Sequence, residues 1–441
     1  MLKKKIILFF IYLISISSSH SLELIRDVEL ESFTRELISL IDSDSEINNS
    51  EINLYFINSK EVNAFVTSSS DLFINTGLII SSNDYVEFVS VLAHELSHIN
   101  GFHVSRSKEE ISNLGKKALP VYLLGILGIM SGATDLGIAT VMVGSASVQG
   151  GYLSYSRTQE AAADQGAVKL MCENFIDASG LLRFFKTLEG LPASANVINP
   201  YNTTHPITEN RYAWVESALE KYNGCKFDKN EYLQKQFKML QAKLFGYTHK
   251  FDEVNSVFDE STDEGKYALS VSMFFNGESE KPIKYLSELA EKDAKNAYYK
   301  ELLAEIYYSK QDYHNAIIMQ KKALDDYGSE SDLLYMLMGN YLMFNKDTMN
   351  DAVKYLKRSI RINPKNTYSW YLLAKAYAEN NLPLAHYATA ERYYLINEHQ
   401  LAHQFLTKSL KEIEKDTPEW YRANDLLSIM TRDKEKENKR Q

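Results

Sequence analysis

Most of this chain carries apolar residues at helical spacing, interrupted near its front by short runs of strand character. Leu30, Phe33, Leu37 and Leu40 predict an amphipathic helix over residues 22–48. Leu54 to Ile57, Ala64 to Val66 and Leu72 to Ile74 read as strands, with a turn signal at Ser68 to Asp71 and a break at Gly77. Together they predict a small antiparallel sheet. A helix with a buried face (Phe88, Val91, Leu92, Leu96, Ile99) follows. Asp84-Tyr85-Val86-Glu87 has capping-box form at its start, and Gly101 fits its stop. Another helix opens after Tyr155, where Ser156 to Gln159 again has capping-box form, and runs through Glu160, Asp164 and Leu170. After a helix at 178–189, the stretch Leu191 to Pro206 reads as a loop containing Pro192, Pro200 and His205.

Residues 118–150 stand apart, because Asp135 is their only charge and glycine recurs at 125, 128, 132, 137 and 144. Two apolar helices joined near Ser131 to Asp135 are expected. They either form a buried hairpin over the functional site or dip into a membrane face as a peripheral contact. The uncharged stretch Ala118 to Thr134 is 17 residues, short of the roughly 20 that a span requires.

Past Cys225, Ala-rich aromatic helical segments recur about every 34 residues, the tetratricopeptide period. One unit carries Ala304, Tyr307, Ala316 and Ala323, a small-aromatic-small-small pattern. The next carries Gly339, Ala352, Ser359 and Pro364, and a third begins with Trp370, Ala374 and Tyr377. Residues 264–296 read as a degenerate earlier unit, and helices near 384–397, 399–413 and 418–431 continue the stack. Small residues at these positions let paired helices pack closely. Of 29 tyrosines, most lie in this half and fit packing positions. Those left on a concave face would line a partner groove.

The fold class predicted is α+β, mostly α: a metal-binding domain with a small antiparallel sheet, then an α-solenoid. The boundaries expected are 1–21, an export signal; 22–225, the metal-binding domain; 226–263, connecting helices; 264–431, the repeats; and 432–441, a charged tail. Lys3, Lys4 and Lys5 precede the apolar run Ile6 to Ile16, and Ser19-His20-Ser21 offers small residues for cleavage after Ser21. A retained anchor is the alternative. No cysteine lies near this point, which argues against lipid anchoring.

The whole chain has a formal net charge of −10. Removing residues 1–21 takes away three lysines, so 45 basic residues face 58 acidic ones and the balance is −13. That opposes nucleic-acid binding and a polybasic membrane anchor. The two cysteines, Cys172 and Cys225, form either a bridge or two separate thiols, since spacing alone fixes no geometry.

His94-Glu95-Leu96-Ser97-His98 is an HExxH pattern. On a helix, positions i and i+4 share a face, so both imidazoles can grip one zinc ion while Glu95 takes a proton from water. A catalytic zinc needs a third protein ligand. Downstream candidates are His103, Glu160 and His205. The metzincin spacing fails, because Val104 occupies the position where it needs histidine. Glu160 is the stronger choice. Glu160-Ala161-Ala162-Ala163-Asp164 places both carboxylates on one helix face, with small residues between them for close packing. Asp164 would then accept the far N–H of a ligating imidazole.

His94 to His98, the Glu160–Asp164 helix, and Asn63-Ala64-Phe65 before Gly77-Leu78 resemble the gluzincin peptidases related to the heat-shock protease HtpX and the CAAX-prenyl endopeptidase. The resemblance covers about residues 22–222 and implies a zincin-like zinc metalloendopeptidase with metal ligands His94, His98 and Glu160. It implies that substrate meets the strand near Asn63. His205-Pro206 followed by Arg211 also matches the family pattern. By resemblance His205 occupies the open zinc position and keeps the enzyme latent; the alternatives are an oxyanion contact or an ordinary loop histidine. Arg211 either stabilises transition-state charge or pairs with Asp164 or Glu209. With an export signal in front and repeats behind, the resemblance implies a periplasmic protease and chaperone for unfolded or misassembled outer-membrane proteins. The outer-membrane assembly machinery would dock through the repeats. The competing expectation is a repeat-based chaperone or scaffold with a largely latent zinc site.

Overall fold

A computed structural model describes residues 24–41, 52–67, 71–101, 157–190, 201 and 205–438. The expected export signal, residues 118–150 and His103 lie outside the described residues. Among those described, no helix is long and apolar enough to cross a membrane.

The chain begins with a short strand, β1 (Leu24–Ile25), and the helix α1 (Val28–Ile41). The predicted helix over 22–48 thus starts later than expected, and residues 42–48 lie outside the described residues. Asp27 caps it, its Oδ1 accepting the Leu30 N–H at 2.9 Å, which leaves Leu24 and Ile25 free to pair with a neighbouring strand. Its buried face runs through Leu30, Phe33, Leu37, Ile38 and Ile41, whereas Leu40 is 40% exposed. Eleven helical positions close three turns to within about 20°, so Ile41 returns to the face of Leu30 and Leu40 does not.

Three further strands, β2 (Asn53–Ile57), β3 (Ala64–Val66) and β4 (Asp71–Asn75), complete a sheet of order β1-β2-β4-β3. This sheet is mixed, which corrects the antiparallel expectation. β3 and β4 pair antiparallel, but β4 inserts beside β2 and runs parallel to it, with Leu54 opposite Leu72 and Phe56 opposite Ile74. Strand order is a long-range outcome that local alternation does not encode.

The helix α2 (Thr76–Ser81) follows directly. Gly77 is its second residue rather than a simple strand break: its N–H donates to Ser59 O at 2.8 Å. A Cβ there would lie 2.4 Å from Lys60 O, so only glycine allows this approach.

The motif helix α3 (Tyr85–Asn100) is capped by Asp84, which accepts the Glu87 N–H at 2.9 Å. Glu87 does not close the reciprocal half of the box. Its carboxylate accepts instead from Asn83 N at 2.9 Å and Thr187 Oγ1 at 3.1 Å. Every residue from Tyr85 to Ile99 is buried, because α1, β3, α4 (Arg157–Glu173) and α5 (Gly180–Gly190) all pack on α3. The motif therefore sits on a central helix with no solvent face, beyond the single buried face that periodicity predicted. Gly166 of α4 lies against Ser97 of α3, where a Cβ would meet Ser97 Oγ at 2.6 Å. The helix α6 (Glu209–Lys221) packs on α4, and Cys172 and Cys225 form a disulfide joining the end of α4 to the segment after α6.

A helical array follows: α7 (Glu231–Thr248), α8 (Phe251–Val257), α9 (Asp263–Phe275), α10 (Glu280–Lys292), α11 (Ala297–Ser309), α12 (Tyr313–Tyr327), α13 (Asp332–Leu342), α14 (Met349–Ile362), α15 (Thr367–Tyr377), α16 (Leu382–Leu395), α17 (His399–Glu412) and α18 (Pro418–Asn438). Asn296, Asp312, Ser331, Asn366 and Asn381 cap α11, α12, α13, α15 and α16 through their side chains. Ala304, Ala316, Ala323, Ala352 and Ser359 are fully buried between paired helices, and a Cβ on Gly339 would meet the Leu356 side chain at 2.6 Å. These are the small positions of the repeat pattern. α18 continues to Asn438, into the stretch read as a tail, where Lys and Glu are good helix formers.

The start of α1 sits against this array. Lys243 Nζ of α7 lies 2.6 Å from Asp27 and 3.3 Å from Glu29, and Tyr267 of α9 donates to Glu29 at 2.6 Å. Arg26 donates to Asp332 of α13 at 3.2 Å. Val28 packs with Ala323, Leu333 and Leu334.

Candidate metal centre

Helix geometry stacks His94 and His98 on one face of α3, and their Nε2 atoms lie 3.1 Å apart. α4, held close at Gly166, brings Glu160 to them. Its Oε1 is 3.3 Å from His98 Nε2 and its Oε2 is 3.5 Å from His94 Nε2. His205 adds a fourth ligand atom: its Nδ1 is 3.0 Å from Glu160 Oε1 and 3.3 Å from His94 Nε2. All four side chains are buried and together could hold a metal ion.

The donor set and spacing fit zinc. Ligands about 2.0–2.1 Å from a tetrahedral zinc stand about 3.3–3.4 Å from one another; the neighbouring pairs above are 3.0 to 3.5 Å apart, and one ligand atom from each of the four residues lies within 4.8 Å of the others.

Asp164 Oδ1 lies 3.0 Å from His94 Nδ1, the far nitrogen of that imidazole, as its helix position predicted. Burial lowers the affinity of His94 for a proton, but the carboxylates of Asp164 and Glu160 override it and push the imidazole up to about 9. Burial carries His98 well below its ordinary value against the opposing pull of Glu160. Burial would raise Glu160, yet His205, His94 and His98 hold it well below the carboxylate range.

Glu95 faces the same space from α3. It is fully buried, and among the described residues neither carboxylate oxygen has a hydrogen-bond partner. His205 Nε2 is 3.3 Å from its Oε1. Burial raises its pKa, with His205 and His94 partly opposing. Glu95 Oε2 has no hydrogen-bond partner among the described residues and is placed to accept one.

Arg211 enters from α6. Its Nε and Nη2 donate to both oxygens of Asp164 at 2.9 and 2.7 Å, a bidentate pair. Its Nη1 lies 3.0 Å from Glu160 Oε2 and donates to the His205 carbonyl at 3.2 Å. Of the sequence alternatives for Arg211, the structure displays the pairing with Asp164. Phe185 lies beneath the guanidinium, 4.8 Å away.

His94, Glu95, His98, Glu160, Asp164, His205 and Arg211 are therefore brought together. Sequence reasoning missed Phe185 and Tyr201, whose ring centroid is 4.9 Å from that of His205. Neither carries a local signal. Gly166 did offer one, since a glycine inside a helix pattern often marks close packing.

This geometry agrees with a comparison against known families. Residues 25–219 match peptidase family M48. The chain thus carries an M48 metalloprotease domain followed by tetratricopeptide-type helix pairs. It is 22% identical over 407 residues to the beta-barrel assembly-enhancing protease of Escherichia coli (strain K12), covering 89% of this chain and 81% of that one. It is 23% identical over 380 residues to the Yersinia pestis protein of that name, covering 82% and 75%. Over 189 residues it is 28% identical to the mitochondrial metalloendopeptidase OMA1 of Bos taurus, covering 38% of this chain and 33% of that one.

Proposed function

We propose that this chain is a zinc-dependent endopeptidase of the periplasm that acts on misassembled outer-membrane proteins, with its repeats docking substrate or the outer-membrane assembly machinery. The observation that carries the catalytic part is the convergence of His94, His98 and Glu160 beside the buried carboxylate of Glu95. The basic-then-apolar start of the chain and the names of its relatives support the location and substrate class.

His94, His98 and Glu160 would hold the ion. When bound, zinc supplies Lewis-acid polarisation of a peptide carbonyl and acidifies water. Glu95 accepts a proton from the attacking water and returns it to the leaving amine. Asp164 fixes the tautomer and tilt of His94, and Arg211 holds Asp164 and Glu160 in register. Arg211 is spent on these carboxylates, so its role is positioning.

His205 closes the site. One of its nitrogens joins the ligand atoms and the other faces Glu95, so it stands where water must enter. The enzyme is latent until His205 withdraws. The same observation favours a second reading, a repeat-based chaperone whose zinc site is largely silent.

Glu95→Gln separates the two. As an endopeptidase the variant keeps its zinc and loses peptide hydrolysis by about 10²–10⁴-fold. Hydrolysis at the wild-type rate removes Glu95 as base. Full rescue of a deletion phenotype by this variant favours the chaperone.

A further inference from the structure

We infer that Tyr201 is the positioning residue that keeps His205 seated in the ligand cluster, and so sets the balance between latent and open enzyme. This rests on the metal-site reading above and adds a regulator to it.

Beyond its contacts with Glu160, Glu95 and His94 in the cluster, three further contacts hold His205 among the described residues. Its N–H donates to the Tyr201 carbonyl at 2.7 Å. Its own carbonyl accepts from Arg211 Nη1 at 3.2 Å. Its ring lies beside the Tyr201 ring, with centroids 4.9 Å apart and planes inclined by 30°. Tyr201 supplies two of the three holds.

Tyr201 is itself anchored. Its side chain is fully buried and belongs to the core of the metalloprotease domain. Its ring meets Phe184 of α5 edge-on at 5.3 Å, and α5 packs on the motif helix α3. The seat of His205 is thus keyed into the core that holds His94 and His98.

A ring beside His205 restricts where the imidazole can swing. When His205 leaves the cluster, its contact with the Tyr201 ring is lost, so the ring adds to the bias toward the seated state. The side-chain contact with His205 is one of ring against ring, which a phenylalanine at this position keeps.

The test uses full-length protein loaded with cobalt(II) alone, whose visible absorption responds to the number of protein ligands. His205→Ala defines the spectrum of the open site. Tyr201→Ala moves the wild-type spectrum toward it and raises peptide hydrolysis by about tenfold, as a larger competent fraction requires. Tyr201→Phe restores the wild-type spectrum. Tyr201→Leu, which keeps apolar volume should the alanine variant fold poorly, shifts the spectrum in the same direction as Tyr201→Ala. If His205→Ala changes the spectrum while Tyr201→Ala and Tyr201→Leu leave it at wild type, the inference is overturned and the metal-site reading stands. If His205→Ala leaves the spectrum unchanged, His205 is no ligand and Tyr201 has nothing to position. Wild-type hydrolysis by Glu95→Gln defeats the catalytic reading whatever Tyr201 does.

Discussion

The chain buries two charged clusters, and they are satisfied in opposite ways. Where α1 meets the array, Lys243 stands between Asp27 and Glu29, and Tyr267 donates to Glu29. Cation, anions and hydroxyl answer one another, and the cluster closes on itself. In the metal centre, three imidazoles and a carboxylate bring ligand atoms together, with neighbouring pairs 3.0 to 3.5 Å apart. A buried polar cluster that completes its own pairing is part of the architecture. One that gathers three imidazoles and a carboxylate has the donor set of a metal site.

The contrast is most severely tested at Lys243. Lys243→Met leaves two buried carboxylates without their cation and should cost about 3–5 kcal/mol, read from urea unfolding midpoints. Zinc bound per folded chain should not change, since the junction is architectural. A cost below about 1 kcal/mol would mean that the cluster is solvated after all.

Gly166→Ala attacks the other cluster through its support. The added methyl meets Ser97 Oγ at 2.6 Å and must push α4 from α3, at about 1–3 kcal/mol. Because α4 carries Glu160, zinc should also be surrendered more readily to a competing chelator. Destabilisation with unaltered zinc affinity would detach the packing of α4 from the metal site.

Much of the metal centre was legible because its logic is local. His94 and His98 repeat at i and i+4, as do Glu160 and Asp164, and helix geometry turns each spacing into a shared face. The repeats were legible for the same reason, since Ala304, Ala316 and Ala323 mark helix-pair contacts by spacing alone. What remained hidden is long-range. β4 lies between β2 and β3, an order that alternation cannot encode. The seat of His205 depends on Tyr201, Arg211 and an α3 helix 111 residues away. The start of α1 was misplaced because a two-residue strand has too little length to show a period.

The junction should also respond to pH. Burial raises the Glu301 carboxyl, Lys243 partly opposes, and neighbouring Glu305, Asp27 and Glu29 add to the rise, bringing it to about 8. A folded-state pKa above the ordinary value contributes stability at low pH, which is lost as pH climbs from the ordinary carboxylate range through 8. Glu301→Gln cannot ionise. Its stability relative to wild type should therefore increase between pH 5 and pH 8 when urea midpoints are compared. A constant difference would remove Glu301 from the account.

The smallest effect is expected at the rim of the junction. Arg26 is partly exposed, so Arg26→Ala should lower stability by no more than about 1 kcal/mol in the same urea assay. A loss as large as that of Lys243→Met would place the main hold between α1 and the array at Asp332.

The central claim is that Glu160 of α4 joins His94 and His98 of α3 as a metal ligand, and zinc content tests it most directly. Purified full-length protein and its Glu160→Ala variant are dialysed and measured by elemental analysis. The account predicts one zinc per chain in the first and almost none in the second, at unchanged helix content. Equal zinc in both would contradict it, because the carboxylate that α4 brings to the paired histidines would then not be a ligand.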